Sequence, residues 1–90
     1  MKENQNAGFS KGWKSEGVIQ AENGVKVSYA VKHYGLGSEW GIDGGRISKL
    51  EMRRIDGRTM ALYDRGWARR PDANDKTAMT AYRNILDMYN

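Results

Sequence analysis

Two stretches near the start of the chain alternate between apolar or small residues and polar residues. Within residues 13–21, and again within 25–33, every second side chain belongs to one face, which is the period of a β-strand. The connection at 22–24 fits either a two-residue or a three-residue turn. Only the three-residue turn places Ile19 opposite Val27, and a slip of one residue would send every apolar side chain to the wrong face. The pattern therefore predicts a β-hairpin with a three-residue loop.

A second region of strand-like alternation covers residues 47–65. A three-residue loop at 55–57 keeps its apolar residues on one face, whereas a two-residue loop mixes the faces. The opposite face, which includes Lys49 and Tyr63, is expected to stay largely in contact with water. The pairs expected on the apolar face are Met52–Met60, Leu50–Leu62 and Ser48–Asp64. Together the two hairpins predict a four-stranded antiparallel sheet.

The last part of the chain has the period of a helix. Residues 65–71 are expected to form a loop, because Gly66 and Pro71 interrupt strands. Asp72 or Asn74 is the expected N-cap of the helix after this loop. The apolar stripe of this helix, spaced at i, i+3, i+4 and i+7, consists of Ala78, Ala81, Tyr82, Ile85, Leu86 and Tyr89. The sequence thus predicts one C-terminal helix with a single apolar face.

These elements predict the fold class α+β, in which the C-terminal helix packs on one face of a four-stranded antiparallel sheet. The 90 residues have room for a single domain with one small core. We assign that domain to residues 13–90. Residues 1–12 are polar and have no period, so a flexible N-terminal arm is expected there.

Composition excludes several kinds of site. The chain has no cysteine, so disulfides, thiolate zinc sites and a cysteine nucleophile are all excluded. No run approaches the roughly 18 apolar residues of a membrane span. The N-terminus lacks the apolar segment of a signal peptide. A membrane is therefore not an expected partner, and the cytoplasm is the expected location.

The net charge of +4 comes entirely from the second half of the chain. All eight arginines lie within residues 46–90, whereas the lysines and acidic residues of 1–45 balance. This asymmetry indicates a basic face and an anionic or acidic partner. The alternative is an ordinary solvated face that serves only solubility.

Catalytic chemistry has few residues to use. His33 is the only histidine, and a histidine at a strand end beside a tryptophan is more often packed than catalytic. Glu39, Asp43 and Asp64 could gather near it and bind a metal or act as acid and base. No metal-ligand spacing supports such a cluster. The sequence therefore predicts a protein that is not an enzyme and that uses no cofactor.

Asp64 is the polar residue that most needs a partner, because the expected register points it into the apolar face beside Ser48. A carboxylate in that position must be paired or must accept backbone N–H groups. We expect it to accept amides from residues 41–45 or to pair with Arg46. Either contact would fix the glycine-dense loop to the sheet.

Guanidinium and indole groups interleave between positions 40 and 70. Arginine contacts phosphates and tryptophan stacks on bases, while both residue types are also frequent in protein–protein hot spots. Trp67 is expected to close the core beside the helix, and Trp40 to be an exposed anchor. The candidate binding residues are Trp40, Arg46, Arg53, Arg54, Arg58, Arg65, Trp67, Arg69 and Arg70.

Two motifs stand out in the chain, the run GIDGGRISKL at residues 41–50 and YDRGW at 63–67. In both motifs the chain resembles a group of small, uncharacterised proteins from Gram-positive bacteria and their phages and mobile elements, classed as a domain of unknown function. The resemblance covers roughly residues 17–90 and leaves the N-terminal arm outside. It carries over no site residue. What it implies is a setting, namely a cytoplasmic accessory protein of a phage or mobile element.

The residues and the resemblance together favour a small non-enzymatic protein that binds a macromolecular protein partner. A host defence protein is one candidate partner, recognised through a surface formed by the arginines and the glycine loop. Direct nucleic-acid binding through the same basic surface is the alternative, and a metal- or carboxylate-dependent enzyme is a third. The oligomeric state and small-ligand binding at residues 35–45 stay open.

Overall fold

The computed structural model of the chain describes residues 13–21 and 23–90. The arm expected at 1–12 lies outside the described residues. Five antiparallel strands form one sheet in the order β1-β2-β3-β4-β5, and a single helix comes after them. The elements are β1 Trp13–Gln20, β2 Lys26–His33, β3 Ile47–Arg54, β4 Thr59–Asp64, β5 Trp67–Arg69 and α1 Lys76–Tyr89. The fold is therefore a small α+β domain in which an antiparallel sheet carries one C-terminal helix.

The sheet has five strands rather than the four expected, because the region taken for a loop contains β5. Gly66 does not interrupt this strand, since it belongs to the turn before it, and Pro71 lies beyond its end. The turn is tight: Arg65 adopts a φ of 57°, and the Asp64 amide donates to the Gly66 carbonyl at 2.9 Å. A strand of three residues is too short to show an alternating pattern.

The first hairpin has the predicted register. Ile19 lies opposite Val27, and the Ala21 amide donates to the Val25 carbonyl at 2.9 Å across the loop. Gly24 supplies the positive φ, 84°, that this turn requires.

The second hairpin has the predicted loop but a different register beyond it. Arg53 lies opposite Thr59 as expected, but Met52 then pairs with Ala61, so Met60 is the extra residue of a β-bulge. The bulge lets two consecutive apolar residues, Met60 and Ala61, both be buried. From that point every β4 side chain changes face.

Three expectations for β4 were consequently wrong. Tyr63 is buried at 6% exposure rather than wet, and Leu62, expected in the core, is 38% exposed. Asp64 does not enter the apolar face, because it pairs with Lys49 rather than Ser48. It accepts no loop amide and does not pair with Arg46. Its carboxylate instead lies 3.9 Å from Lys49 Nζ and 3.8 Å from Arg65 Nε, with its side chain about half exposed.

Helix α1 packs the predicted apolar stripe against one face of the sheet. Ala78, Ala81 and Ile85 are buried, and the other three stripe residues pack at the rim of the core. The N-cap is Asp75, whose side chain accepts the Ala78 amide at 3.2 Å, and not Asp72 or Asn74. Asp72 instead accepts the Asn74 amide in the turn before the helix. The sheet residues of this core are Val27, Val31, Ile47, Leu50, Met52, Met60, Ala61 and Tyr63.

The two ends of the sheet differ in their construction, and we call them the hairpin end and the loop end. The hairpin end contains the two three-residue turns and the start of α1, where Asn23 Nδ2 donates to Thr77 Oγ1 at 2.8 Å. The loop end contains residues 34–46, the Arg65–Gly66 turn and the end of α1. The eight residues of β3 join the two ends, a span of about 25 Å. The face of the sheet away from α1 is the open face.

Candidate functional site

The connection between β2 and β3 is a long loop that folds back on itself. The Tyr34 amide donates to the Arg46 carbonyl at 3.0 Å, and the Ser38 amide donates to the Gly45 carbonyl at 3.1 Å. Between these bonds a single 3₁₀ turn, Ile42–Gly44, inserts the Ile42 side chain into the core, where it is 1% exposed. The loop is therefore an ordered part of the domain.

Two glycines allow the loop to close on itself. A Cβ at Gly41 would collide with the Gly45 carbonyl oxygen, and a Cβ at Gly37 would collide with that of Gly44. Because both obstacles are backbone atoms, they cannot move aside as a side chain would. The glycine density that stands out in the sequence serves this close backbone approach.

Two residues to which the sequence analysis assigned no such role hold the loop against the domain. The Tyr63 hydroxyl donates to the Trp40 carbonyl at 2.8 Å. Asn90 donates from Nδ2 to the Ile42 carbonyl at 3.1 Å and accepts the Ile47 amide at 3.0 Å. Tyr63 was missed because the bulge at Met60 reversed its face. Asn90 comes directly after the last residue of α1 and gave no pattern from which this contact could be inferred.

The loop presents apolar side chains to solvent. Trp40 is 56% exposed and Leu36 is 83% exposed. The exposure expected of Trp40 is therefore observed. The Trp40 carbonyl accepts from the Tyr63 hydroxyl and the Trp40 amide donates to Ser38 Oγ at 3.2 Å, so the fold fixes the backbone from which the exposed indole projects.

Cations surround these apolar residues. Lys14, Lys32 and Lys49 lie directly opposite one another on β1, β2 and β3 of the open face. Directly opposed like charges destabilise a sheet. Asp64 continues the row on β4 and lies 3.9 Å from Lys49, so one carboxylate offsets part of the charge of three ammonium groups.

Lys32 and Lys49 of this row, together with Arg65 and the two exposed apolar side chains, line a groove of about 510 Å³, which we call the loop-end groove. Lys32 Nζ lies 5.8 Å above the Tyr34 ring in a cation–π contact on its wall. A groove of about 550 Å³ on the open face shares Lys32 and Lys49 with it. The residues that line the loop-end groove are Lys32, Tyr34, Leu36, Ser38, Trp40, Ser48, Lys49 and Arg65.

The nine candidate binding residues do not form one surface. Two of them, Trp40 and Arg65, line the loop-end groove. Arg46 is at the same end but turns toward α1, where its Nε donates to the Asn90 carbonyl at 3.4 Å. Arg53 is on the open face and pairs with Glu51, with Nη2 2.6 Å from Oε2. The candidates at or facing the hairpin end are Arg54, Arg58, Arg69 and Arg70.

Trp67, the ninth candidate, packs against the core as its sequence context indicated. Its ring lies 4.9 Å from that of Tyr63 and 5.7 Å from that of Tyr82 in edge-to-face contacts. The Arg70 guanidinium covers it at 5.4 Å. This ring is therefore committed to aromatic packing and to one cation–π contact.

His33 is packed between aromatic rings, with Tyr89 at 4.8 Å and Trp13 at 5.9 Å. Its Nε2 is 3.0 Å from Ser15 Oγ. Burial, together with the positive charge of Arg46, lowers the pKa of His33 below its usual 6.5. The neutral imidazole is therefore the form that the fold favours.

The acidic cluster around His33 does not form. Asp64 is on the open face, whereas His33 packs against Tyr89 of α1 on the opposite face. Among the residues that the structure describes, no three His, Asp or Glu side chains lie close enough together to hold a metal ion. Within the same residues, no helix is long and apolar enough to cross a membrane.

Comparison with known proteins gives one match. The family model described as "Domain of unknown function (DUF7678)" matches residues 8–90, so the similarity begins at residue 8 rather than near Gly17. No similarity to a curated protein or to a solved structure was found. Because the match covers nearly the whole sequence, the chain belongs to the DUF7678 family, whose function is unknown.

Proposed function

We propose that this protein binds a protein partner through the loop-end groove. The observation that carries the proposal is the pair Trp40 and Leu36, two large exposed apolar side chains of one ordered loop that line the same groove. Exposed apolar groups that are clustered and bordered by polar residues mark interaction sites. Tryptophan is also among the residue types that most often dominate binding energy.

The composition of the groove favours a protein over a nucleic acid as its ligand. Leu36 can neither stack on a base as an aromatic ring does nor contact a phosphate, yet it is the most exposed large apolar side chain among the described residues. It does fit an apolar pocket of a protein. The ordered loop also favours tight binding, since little conformational freedom remains to be lost on association.

The charges around the groove define the partner further. Lys32, Lys49 and Arg65 border the apolar pair, and Asp64 offsets only part of their charge. The complementary surface is an apolar pocket with an acidic border. Acidic groups of the partner would relieve the repulsion among the opposed lysines of β1, β2 and β3. Binding would therefore also stabilise the folded domain.

The family resemblance suggests the biological setting for such a partner. We place the protein in the cytoplasm of a Gram-positive bacterium, as an accessory of a phage or mobile element. A host protein, including one that acts in defence, is then a natural partner. On this proposal the protein acts by binding and carries out no reaction.

Affinity capture with matched variants tests the proposal. The protein is immobilised, exposed to a nuclease-treated lysate of the bacterium that carries its gene, and the captured proteins are purified and titrated. The double variant Leu36→Ser with Trp40→Ala should weaken binding of the partner by about 30-fold or more. Ile55→Ser is the control, because Ile55 is a 73% exposed apolar residue at the hairpin end.

Two results would overturn the proposal. One is a partner that binds the double variant as tightly as the unchanged protein. The other is a partner whose binding depends on Ile55 instead. Circular dichroism of each variant confirms that the fold is intact before binding is compared.

A further inference from the structure

The hairpin end holds a second cluster of charges that the loop-end groove does not use. Arg54 and Arg58 flank the β3–β4 turn, and Arg69 and Arg70 come from the end of β5. All four line one cavity of about 150 Å³ beside the start of α1.

The carboxylates of this cavity are engaged with the backbone. Asp72 accepts the Asn74 amide at 2.9 Å, and Asp75 accepts the Ala78 amide at 3.2 Å as the N-cap of α1. Within the described part of the chain, none of the four arginines forms an ion pair with a carboxylate. The ion pairs found there involve Arg53, Arg65 and Lys49 instead.

The cavity is therefore lined by four arginines, which we call the arginine cluster, against two aspartates, so the net charge of its lining is positive. Arg54 is also half-buried, so its charge has lost part of its hydration. Such an arrangement costs stability unless an anion joins it. Guanidinium groups donate pairs of parallel N–H bonds that match the oxygens of a phosphate.

We propose that this arginine cluster binds the phosphodiester backbone of a nucleic-acid duplex, independently of the protein-binding groove. The cavity offers hydrogen-bond donors for phosphates but no free aromatic surface for bases. The nearest indole, Trp67, is already occupied by Tyr63, Tyr82 and Arg70. Without stacking, affinity depends on the density of phosphates, which is higher in a duplex than in a single strand. Binding is accordingly independent of sequence.

The test is a fluorescence-anisotropy titration of the full chain against a labelled DNA duplex and against one of its strands alone. Measurements at about 50 and 200 mM salt report the number of phosphate contacts. Four contacts give a slope of about −3.6 in log affinity against log salt, so affinity falls by roughly 100-fold over this range. The duplex should bind more tightly than the strand.

Single arginine-to-glutamine substitutions, each of which removes one positive charge, show whether the bound phosphates contact this cluster. Arg54→Gln, Arg58→Gln and Arg69→Gln should each reduce the salt slope by about one and weaken binding several-fold. Arg83→Gln is the matched control, because Arg83 is an exposed arginine of α1 that does not line the cavity. It should leave both the affinity and the slope unchanged.

Three outcomes would overturn this inference. The first is the absence of any salt-sensitive binding at about 50 mM salt. The second is an equal loss in Arg83→Gln and Arg58→Gln, which would make the attraction a property of net charge alone. The third is tighter binding of the single strand than of the duplex, which would require base stacking that the arginine cluster does not provide.

Discussion

The loop end and the hairpin end of this domain are built in different ways from the same chain. At the loop end a glycine-dense loop closes on itself, is held by Tyr63 and Asn90, and presents Trp40 to solvent. At the hairpin end the β3–β4 turn and the end of β5 bring arginines together beside the start of the helix. The first end offers apolar surface and the second offers charge, so each suits a different kind of partner.

The difference also corrects a simple interpretation of charge along the sequence. Arg46 and Arg54 are eight positions apart and belong to one basic run, yet a β-strand places them at opposite ends of the sheet, about 25 Å apart. Charged residues that follow one another along a strand therefore lie far apart in the molecule. Charged residues come close together where several strands end at the same place, and the topology of the sheet decides where that is.

The largest loss of stability is expected from a substitution that disrupts only the loop end. Gly41→Ala places a methyl group against the Gly45 carbonyl oxygen, so the loop cannot keep its closed form. We expect a loss of about 2 kcal/mol or more in the free energy of unfolding, which lowers the melting temperature by about 8 °C or more. Thermal unfolding monitored by circular dichroism measures it.

Gly35→Ala is the control for this prediction, since its added methyl group would meet only the Trp13 ring, at 3.9 Å. It should change the melting temperature little. Equal stability of the two variants would show that the loop does not depend on the close approach at Gly41.

A smaller effect is expected when the bond beneath Trp40 is removed. Tyr63→Phe deletes the hydroxyl group that donates to the Trp40 carbonyl at 2.8 Å and leaves the ring in place. We expect a loss of about 1 kcal/mol in stability and a shift in tryptophan fluorescence, because the loop becomes freer to move. Tyr34→Phe should have neither effect, as no hydrogen bond of its hydroxyl group is found among the described residues. An unchanged melting curve for Tyr63→Phe would contradict the anchoring role.

The stability of the protein is also expected to depend on pH through His33. The pKa of His33 is lowered in the folded protein by burial and by Arg46, so the unfolded chain takes up a proton first as the pH falls. The contribution of neutral, packed His33 to the free energy of unfolding is therefore fully present above about pH 6.5. It is lost as the pH decreases from there toward the folded pKa. Urea unfolding of the protein and of His33→Gln, at several pH values between 5 and 8, measures this contribution as the difference in stability between the two proteins. A difference between the two proteins that does not vary with pH would contradict the lowered pKa.

The smallest effect is expected at Asp64, which the sequence alone predicted to fix the loop to the sheet. Its carboxylate is half exposed and about 3.9 Å from its partners, which is the geometry of a weak surface pair. Asp64→Ala should change the free energy of unfolding by about 0.5 kcal/mol or less. A fall of several degrees in melting temperature would restore the idea that Asp64 fixes the loop.

Local patterns predicted much of this fold. The three-residue turns result from the requirement that apolar residues stay on one face, and the helical stripe from Ala78 to Tyr89 results from the period of the helix. In these cases one short segment contains all the information that decides the structure.

The features that the sequence did not reveal depend on contacts between distant segments. At the bulge, two consecutive buried residues of β4, Met60 and Ala61, lie opposite Met52 of β3. A bulge of this kind cannot be predicted from an alternating pattern. The strand β5 exists because Trp67 can pair with Tyr63, and the arginine cluster exists because β3 and β5 end beside the start of the helix. The loop-end groove likewise needs β2 beside β3, which brings Lys32 opposite Lys49. No local motif encodes that neighbourhood.

The measurement that most directly tests the separation of the two ends is the anisotropy titration with duplex DNA, carried out on two variants in parallel. We predict that Arg58→Gln weakens binding several-fold and reduces the salt slope by about one. We also predict that Leu36→Ser with Trp40→Ala leaves both quantities unchanged. A loss of DNA affinity in the Trp40 variant as large as that in Arg58→Gln would contradict the separation, because both ends would then belong to a single binding surface.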